Sequence, residues 1–273
     1  MAVRISINNS EKLSKIIKEI TGVRLTSPIT GITTDSRDCE PGDLYIALLG
    51  DRSNGHHYLQ DVDAMDASAA LISERNSNQE LNLYQIIVED TRKTLGLIAN
   101  NWRNIFNIPV IAITGSNGKT STKELLYHVL KDKYNVHATE GNYNTSIGLP
   151  LSLFGINKNH DISIIEMGAN QPGDIKYLCK IAEPTHGLIT NISSSHLEGF
   201  QSIENIVETK GALFHYLENG ISFINYADER VKSINNSGNK VTYGLNAGCD
   251  FPADIHHDDD GSILLTIDAQ EIK

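Results

Sequence analysis

The chain has 273 residues, 40% of them hydrophobic and 21% charged, a balance that excludes a disordered segment and suits one large domain or two ordinary ones. Its formal net charge of −11 counts against nucleic acid as the main partner, because phosphate backbones are gripped by a surplus of Lys and Arg. Three scattered cysteines, Cys39, Cys179 and Cys249, point to a reducing cytoplasm and away from a disulfide framework or a Cys-rich metal site. No apolar run approaches the roughly 20 residues of a membrane helix, and the first residues do not read as a signal peptide. A cytoplasmic protein without membrane insertion is expected.

Residues 10–21 place Leu13, Ile16, Ile17 and Ile20 at helical spacing behind a Ser10 cap, and Gly22 ends the helix. Short strands are expected over Ile29–Asp35, Asp43–Ala47, Ala69–Ile72 and residues 85–89, with turns at Pro41-Gly42 and Ser53-Asn54-Gly55. A helix over Thr91–Arg103 precedes a domain boundary near Asn104–Ile108, giving domains of residues 1–106 and 107–273. Beyond it Val110–Thr114 reads as a buried strand, and a helix follows from about Thr120 to Lys133 with Leu125, Leu126, Val129 and Leu130 on one face. Further strands over Ile162–Glu166, Gly187–Asn191 and Ile221–Asn225, alternating with helices, imply a mostly parallel sheet. The tail from Cys249 reads as two strands flanking an Asp258-Asp259-Asp260-Gly261 hairpin turn.

The strongest local signal is Thr114-Gly115-Ser116-Asn117-Gly118-Lys119-Thr120, between a buried strand and a helix. Glycines let successive N–H groups turn toward phosphate oxygens, the helix N-terminus adds its positive end, and Lys119 adds a full charge. The Thr120 hydroxyl suits a Mg²⁺ ligand. Ile113 stands where the first Gly of the longer Walker pattern would be, so this is the shorter G-x-x-G-K-T form. Glu166, at a strand end before Met167-Gly168, is placed either to hold that metal or to cap a helix. His196 follows the next strand and reads as a surface residue or a second ligand. His56-His57 and His256-His257 read as loop and hairpin-tip residues, and Cys39 has no neighbour that would activate a thiolate.

Taken in order, these pieces resemble the Mur ligase family. Residues 114–120 match its T-G-[ST]-N-G-K-[ST] loop, and Asn142-Tyr143-Asn144-Thr145-Ser146-Ile147-Gly148 matches its N-x-N-x-x-x-G segment. Asn191, His196, Leu197 and Glu198 match N-x-x-x-x-H-L-[DE], and Lys210 matches the family lysine that is carbamylated into a metal ligand. Asp35-Ser36-Arg37, the Pro41–Leu48 run and Gly55-His56 are similar to the family's UDP-precursor domain, with Asn54 where Asp is usual and Ser193-Ser194-Ser195 replacing a stretch that often holds Arg or Gly. The run from Glu166 to Ile175 resembles E-M-G-A-x-x-x-G-[DE]-I of the members that add D-alanyl-D-alanine to UDP-N-acetylmuramoyl-tripeptide.

The resemblance implies an α/β fold, with a small N-terminal UDP-precursor domain and an incomplete P-loop-type central ATPase domain with a mostly parallel sheet. It implies ATP, Mg²⁺ and a carbamylated Lys210 as cofactors. UDP-N-acetylmuramoyl-peptide and D-alanyl-D-alanine are the implied partners of a monomer. By the same resemblance Gly115, Ser116, Asn117, Gly118, Lys119, Thr120 and Asn144 bind ATP, while Ser36, Arg37 and Asn142 bind substrate. Thr120, Glu166, His196 and Lys210 hold metal, and Lys119, His196 and Lys210 serve catalysis. The family's late H-N motif and third domain do not occur before Lys273, so a fragment without full turnover is expected. Addition of the third peptide residue, and a module that only binds, are the alternatives.

Overall fold

Residues 4–50, 53–75, 81–194, 197–245, 248–257, 263–267 and 270–272 are described by the computed structural model. They divide into two compact units, residues 1–107 with 146–159, and residues 108–145 with 160–273. Residues 146–159 group with the first unit although the start of the second unit precedes them in the chain. The physical reason lies in an aromatic seat. Helices α3 (Thr91–Arg103) and α5 (Gly148–Phe154) meet where Trp102 packs on Phe154, ring centroids 6.2 Å apart, and donates its indole N–H to the Ile156 carbonyl at 3.1 Å.

In the first unit, helix α1 (Ser10–Thr21) buries Leu13, Ile16 and Ile17, as their spacing requires. Its cap is Asn9 and not Ser10: the Asn9 side chain accepts the Lys12 N–H. The Ser10 hydroxyl instead accepts the Ile29 N–H at 2.6 Å. Strands β1 (Ile5–Ser6), β2 (Gly31–Thr33), β3 (Leu44–Ile46), β4 (Ala69–Ile72) and β5 (Tyr84–Ile87) form a sheet in chain order, antiparallel at β1–β2 and parallel elsewhere. β2 and β3 are shorter than expected because flanking Asp residues take other partners. Asp35 caps the tight turn Ser36–Asp38. Asp43, fully buried, accepts both Arg4 Nε and Arg4 Nη2 at 2.8 Å and the Glu40 N–H at 3.0 Å. Short helix α2 (Leu59–Ala64) puts Leu59 and Val62 into a core with Tyr45, Ala70 and Ile72.

Among the described residues the second unit is built on a nine-stranded sheet. Strands β6 (Val110–Thr114), β7 (Val136–Ala138), β8 (Ile162–Glu166), β9 (His186–Ile189), β10 (Ile221–Asn225), β11 (Asn239–Gly244) and β12 (Phe251–His257) run parallel in the order β7-β8-β6-β9-β10-β11-β12. β13 (Ile263–Ile267) and β14 (Gln270–Ile272) extend the edge antiparallel, pairing His257 with Ile263; the expected turn at Asp258–Gly261 lies outside the described residues. Helices α4 (Lys119–Leu130), α6 (Asp174–Ala182), α7 (Leu197–Phe200), α8 (Ile203–Tyr216) and α9 (Glu229–Ser233) connect them. Register matters most at the centre. Ile113 sits opposite Glu166, and Thr114 opposite Ile189, so the chain leaves β6, β8 and β9 at one level.

Helix α4 corrects the expected apolar face. Leu125 and Val129 are each 67% exposed, and the residue that α4 buries is Lys123. At about 100° per residue, Thr120, Lys123, Leu126, Tyr127 and Leu130 share a face while Leu125 and Val129 point away. The loop dictates which face turns inward, because Thr120 must reach Glu166. Among the described residues no helix is long and apolar enough to cross a membrane.

This orientation predicts that Leu125→Ala costs less than about 0.5 kcal/mol. Leu13→Ala, in the first unit, should cost about 2–5 kcal/mol. Urea unfolding of the two variants checks both; a large loss at Leu125 would mean that α4 is turned the other way.

Candidate functional site

The loop between β6 and α4 is shaped by its glycines. Gly115 has φ +149°, and a Cβ there would stand 1.9 Å from the Thr190 hydroxyl, so no other residue fits. Gly118, at φ +78°, caps α4 without a side-chain hydrogen bond, which leaves the first-turn N–H groups of the helix available to an anion. The expected ring of inward N–H groups is only partly free. The Ser116 N–H donates to the Asn191 carbonyl at 2.9 Å, and the Asn117 N–H to Asn191 Oδ1 at 3.2 Å. Asn191 Nδ2 donates in turn to the Asn117 carbonyl at 2.9 Å, so one side-chain amide holds both polar edges of the loop tip. Ser116 Oγ donates to the Ser193 carbonyl, and Asp228 accepts the Ile192 N–H at 2.8 Å, bracing the strap from the end of β10.

Three of the expected metal and nucleotide residues meet directly. Thr120 Oγ1 donates to Glu166 Oε2 at 2.9 Å, and Asn144 Nδ2 donates to Glu166 Oε1 at 2.7 Å. Glu166 is 2% exposed, and among the described residues its carboxylate has neutral hydrogen-bond partners and no ion pair. A buried carboxylate without a counter-charge costs several kcal/mol, and a hard divalent cation on the two oxygens would remove that cost. The donor set therefore fits Mg²⁺. Asn144 is itself held by its N–H on the Asn142 carbonyl and its carbonyl on the Gly168 N–H, both at 2.7 Å. Asn142 is exposed.

Two amines crowd one carbonyl. Lys119 Nζ and Lys210 Nζ each donate to the Gly115 carbonyl at 2.9 Å. Lys210 is buried on α8, and burial followed by the Lys119 charge lowers its pKa to about 8. His196 lies outside the described residues. Motif reading missed Thr139 and Lys123. Lys123 Nζ donates to the Thr139 carbonyl at 2.6 Å, and the Thr139 hydroxyl accepts the Glu166 N–H at 3.0 Å. A charged residue on the Thr120 face of the helix was the available signal.

In the first unit, Arg37 pairs with Asp35, and this hydrogen-bonded pairing pushes the Asp35 carboxyl below its ordinary range. Ser36 is half-buried in the same turn. His56 is structural there: its Nε2 accepts the Ser73 N–H at 2.9 Å, so Nδ1–H donates to Asn54 Oδ1 at 2.7 Å. Burial holds its pKa below the usual value.

A glycine-rich loop from a buried strand to a helix, with Lys-Thr opening the helix and a carboxylate at the adjacent strand end, defines the P-loop class of α/β phosphate-binding folds. The Mur ligase middle domain matches residues 113–273, and the Mur ligase family catalytic domain matches residues 28–103. The chain belongs to the Mur ligase family. It is 36% identical over 249 residues to the UDP-N-acetylmuramoyl-tripeptide–D-alanyl-D-alanine ligase of Haemophilus influenzae, covering 88% of this chain and 53% of that one. The Synechocystis enzyme of that name is 35% identical, covering 93% and 56%. Among solved structures, MurF from Acinetobacter baumannii superposes with a TM-score of 0.83 at 29% identity, covering 93% of this chain and 57% of that one. MurF from Thermotoga maritima in complex with ADP gives 0.79 at 33% identity, covering 88% and 56%. The chain spans about half the length of the curated relatives it matches.

His56 carries a pH prediction. Its folded pKa lies below the unfolded value of about 6.5, so unfolding takes up protons on acidification. The stability it supports is complete above about pH 6.5 and is lost as pH falls toward the folded value. Thermal unfolding between about pH 7 and pH 5 should show a shallower loss in His56→Gln than in the wild type; identical slopes would remove His56 as a source.

Proposed function

We propose that this chain carries the precursor-binding and nucleotide-binding parts of an ATP- and Mg²⁺-dependent ligase that adds D-alanyl-D-alanine to UDP-N-acetylmuramoyl-tripeptide. In this reading residues 1–106 bind the UDP-precursor, with Ser36 and Arg37 at its uridine end, and residues 107–273 bind ATP. The observation that carries it is the junction of Thr120, Glu166 and Asn144 beside the loop. The Glu166–Ile175 run and the relatives named above support the particular step. ATP dependence and three scattered cysteines suit the cytoplasm, and in this reading the protein acts as a monomer on small molecules, with no nucleic acid.

In the reaction the peptide's terminal carboxylate attacks the γ-phosphorus of ATP, forming an acyl phosphate and releasing ADP. The amine of D-alanyl-D-alanine then attacks the acyl carbon, phosphate leaves, and the amine loses its proton. Two anions must approach in the first step, so charge neutralisation and positioning dominate. Lys119 would leave the Gly115 carbonyl for the β- and γ-phosphates, and the first-turn N–H groups of α4, with Gly115 to Gly118 shaping the loop, would hold the phosphate oxygens. Bound Mg²⁺ would neutralise phosphate charge. Thr120 and Glu166 would hold one ion, and His196 with Lys210 a second. Asn144 orients the Glu166 carboxylate and lies next to the nucleotide, with Asn142 toward the peptide.

Lys210 would act as a carbamate: CO₂ adds to the neutral amine and a proton leaves. A pKa of about 8 leaves roughly a quarter of the amine neutral near pH 7.5, which makes that addition accessible. It also removes the cation crowding at Gly115.

Calorimetric titration tests the assignment. The chain should bind UDP-N-acetylmuramoyl-tripeptide more tightly than the dipeptide precursor or UDP. Lys119→Ala should abolish nucleotide binding while leaving precursor affinity within about twofold. Tighter binding of the dipeptide would move the step one earlier, and equal loss of both ligands in Lys119→Ala would sink the two-site reading. Carbon-13 NMR with labelled bicarbonate should show a carbamate signal that Lys210→Ala lacks; its absence from the wild type would count against the carbamate.

A further inference from the structure

Lys123 carries a charge that the reaction above does not use. Among the described residues of α4 it is the one fully buried side chain, 2% exposed. Burying an ammonium costs several kcal/mol unless hydrogen bonds and counter-charges compensate. Here Nζ donates to the Thr139 carbonyl at 2.6 Å and pairs with Glu124 at 2.8 Å. Glu124 is exposed at the surface, so the inward partner is Thr139.

Thr139 is 1% exposed and follows edge strand β7. Its N–H donates to the Ile164 carbonyl at 2.9 Å, and its hydroxyl accepts the Glu166 N–H at 3.0 Å. Glu166 then returns to the helix, since its carboxylate accepts the Thr120 hydroxyl. Thr120 and Lys123, three residues apart, lie on one helix face. The result is a closed ring: Lys123 to Thr139, Thr139 to the Glu166 backbone, the Glu166 side chain to Thr120, and one turn of α4 back to Lys123. Such a ring sets the separation and orientation of the Thr120 and Glu166 oxygens. Without the Lys123 bond, the hydrogen bond left between α4 and this strand end among the described residues is that of Thr120, and the helix can shift relative to Glu166.

We propose that Lys123 is a positioning residue for the Thr120–Glu166 oxygen pair, acting through Thr139 and touching neither nucleotide nor metal. This rests on the reading of that pair as the Mg²⁺ site. Partners one shell out from a metal orient its ligands, and their loss typically weakens metal affinity. The effect belongs to the Mg²⁺-dependent part of nucleotide binding and not to the phosphate loop as a whole.

The test is calorimetric titration of the full chain with ADP, in Mg²⁺ and in EDTA. The proteins are wild type, Lys123→Met, Thr139→Val, Glu166→Gln and Lys123→Met with Glu166→Gln. Lys123→Met keeps volume and loses the donor. It should weaken ADP binding about tenfold in Mg²⁺ and less than about twofold in EDTA. Thr139→Val should show the same selective loss, and Lys123→Met should add little in the Glu166→Gln background. Equal weakening in Mg²⁺ and EDTA, or full additivity with Glu166→Gln, would reduce Lys123 to a helix-docking residue and overturn the proposal. Should Lys123→Met not fold, Thr139→Val with undiminished Mg²⁺ enhancement overturns it alone. A wild type with no Mg²⁺ enhancement overturns the metal reading and this proposal with it. Enhancement present in the wild type and intact in Lys123→Met sinks only the present inference.

Discussion

A buried carboxylate with no ion pair among the described residues governs the second unit. Glu166 ends a central strand at 2% exposure, and the groups around it are arranged to hold its oxygens. Asn144 takes one, Thr120 takes the other, and Thr139 takes the backbone N–H. Thr120 comes from the loop helix, and Thr139 and Asn144 from the segment after β7, so one anionic group gathers both segments at the end of β8. Hydrogen bonds from neutral donors only partly offset the desolvation of such a group. The residual deficit is what makes the junction receptive to a cation.

The opposite sign prevails a few residues away. Lys119 and Lys210 share the Gly115 carbonyl, and their mutual repulsion adds to burial in lowering the Lys210 pKa. Anion-receptive and cation-receptive groups thus stand side by side at the ends of neighbouring parallel strands, where open α/β sheets bind ligands. Rigidity there comes from Asn191, whose amide pairs with both edges of the Asn117 peptide. Strapping the loop tip from the next strand lowers the ordering cost of receiving a phosphate.

The first unit solves a different problem. Its sheet is small, and two polar groups buried beside it are held by several partners each: Asp43 by Arg4, Thr30 and the Glu40 N–H, and His56 by Asn54 and Ser73. Fully satisfied polar clusters specify a single arrangement where a small core alone would leave several. Trp102 then draws in residues 146–159 from beyond the loop segment, making that unit discontinuous in sequence.

Much of this could be read from the chain alone. The loop Gly115–Thr120, the strands Val110–Thr114 and Ile162–Glu166, and the helix Thr91–Arg103 are written in local patterns, because glycine geometry, strand burial and helix periodicity act over a few residues. The motif order was likewise sufficient to indicate the family. Local pattern could not say which face of α4 turns inward. Its leucines and valine form a plausible core stripe, yet the hydrogen bond from Thr120 to Glu166 turns Lys123 inward and leaves Leu125 and Val129 in solvent. Nor could it place Thr139 behind Glu166 or Asn191 across the Asn117 peptide. Each depends on a partner far along the chain, and only the register of parallel strands brings such partners to one level.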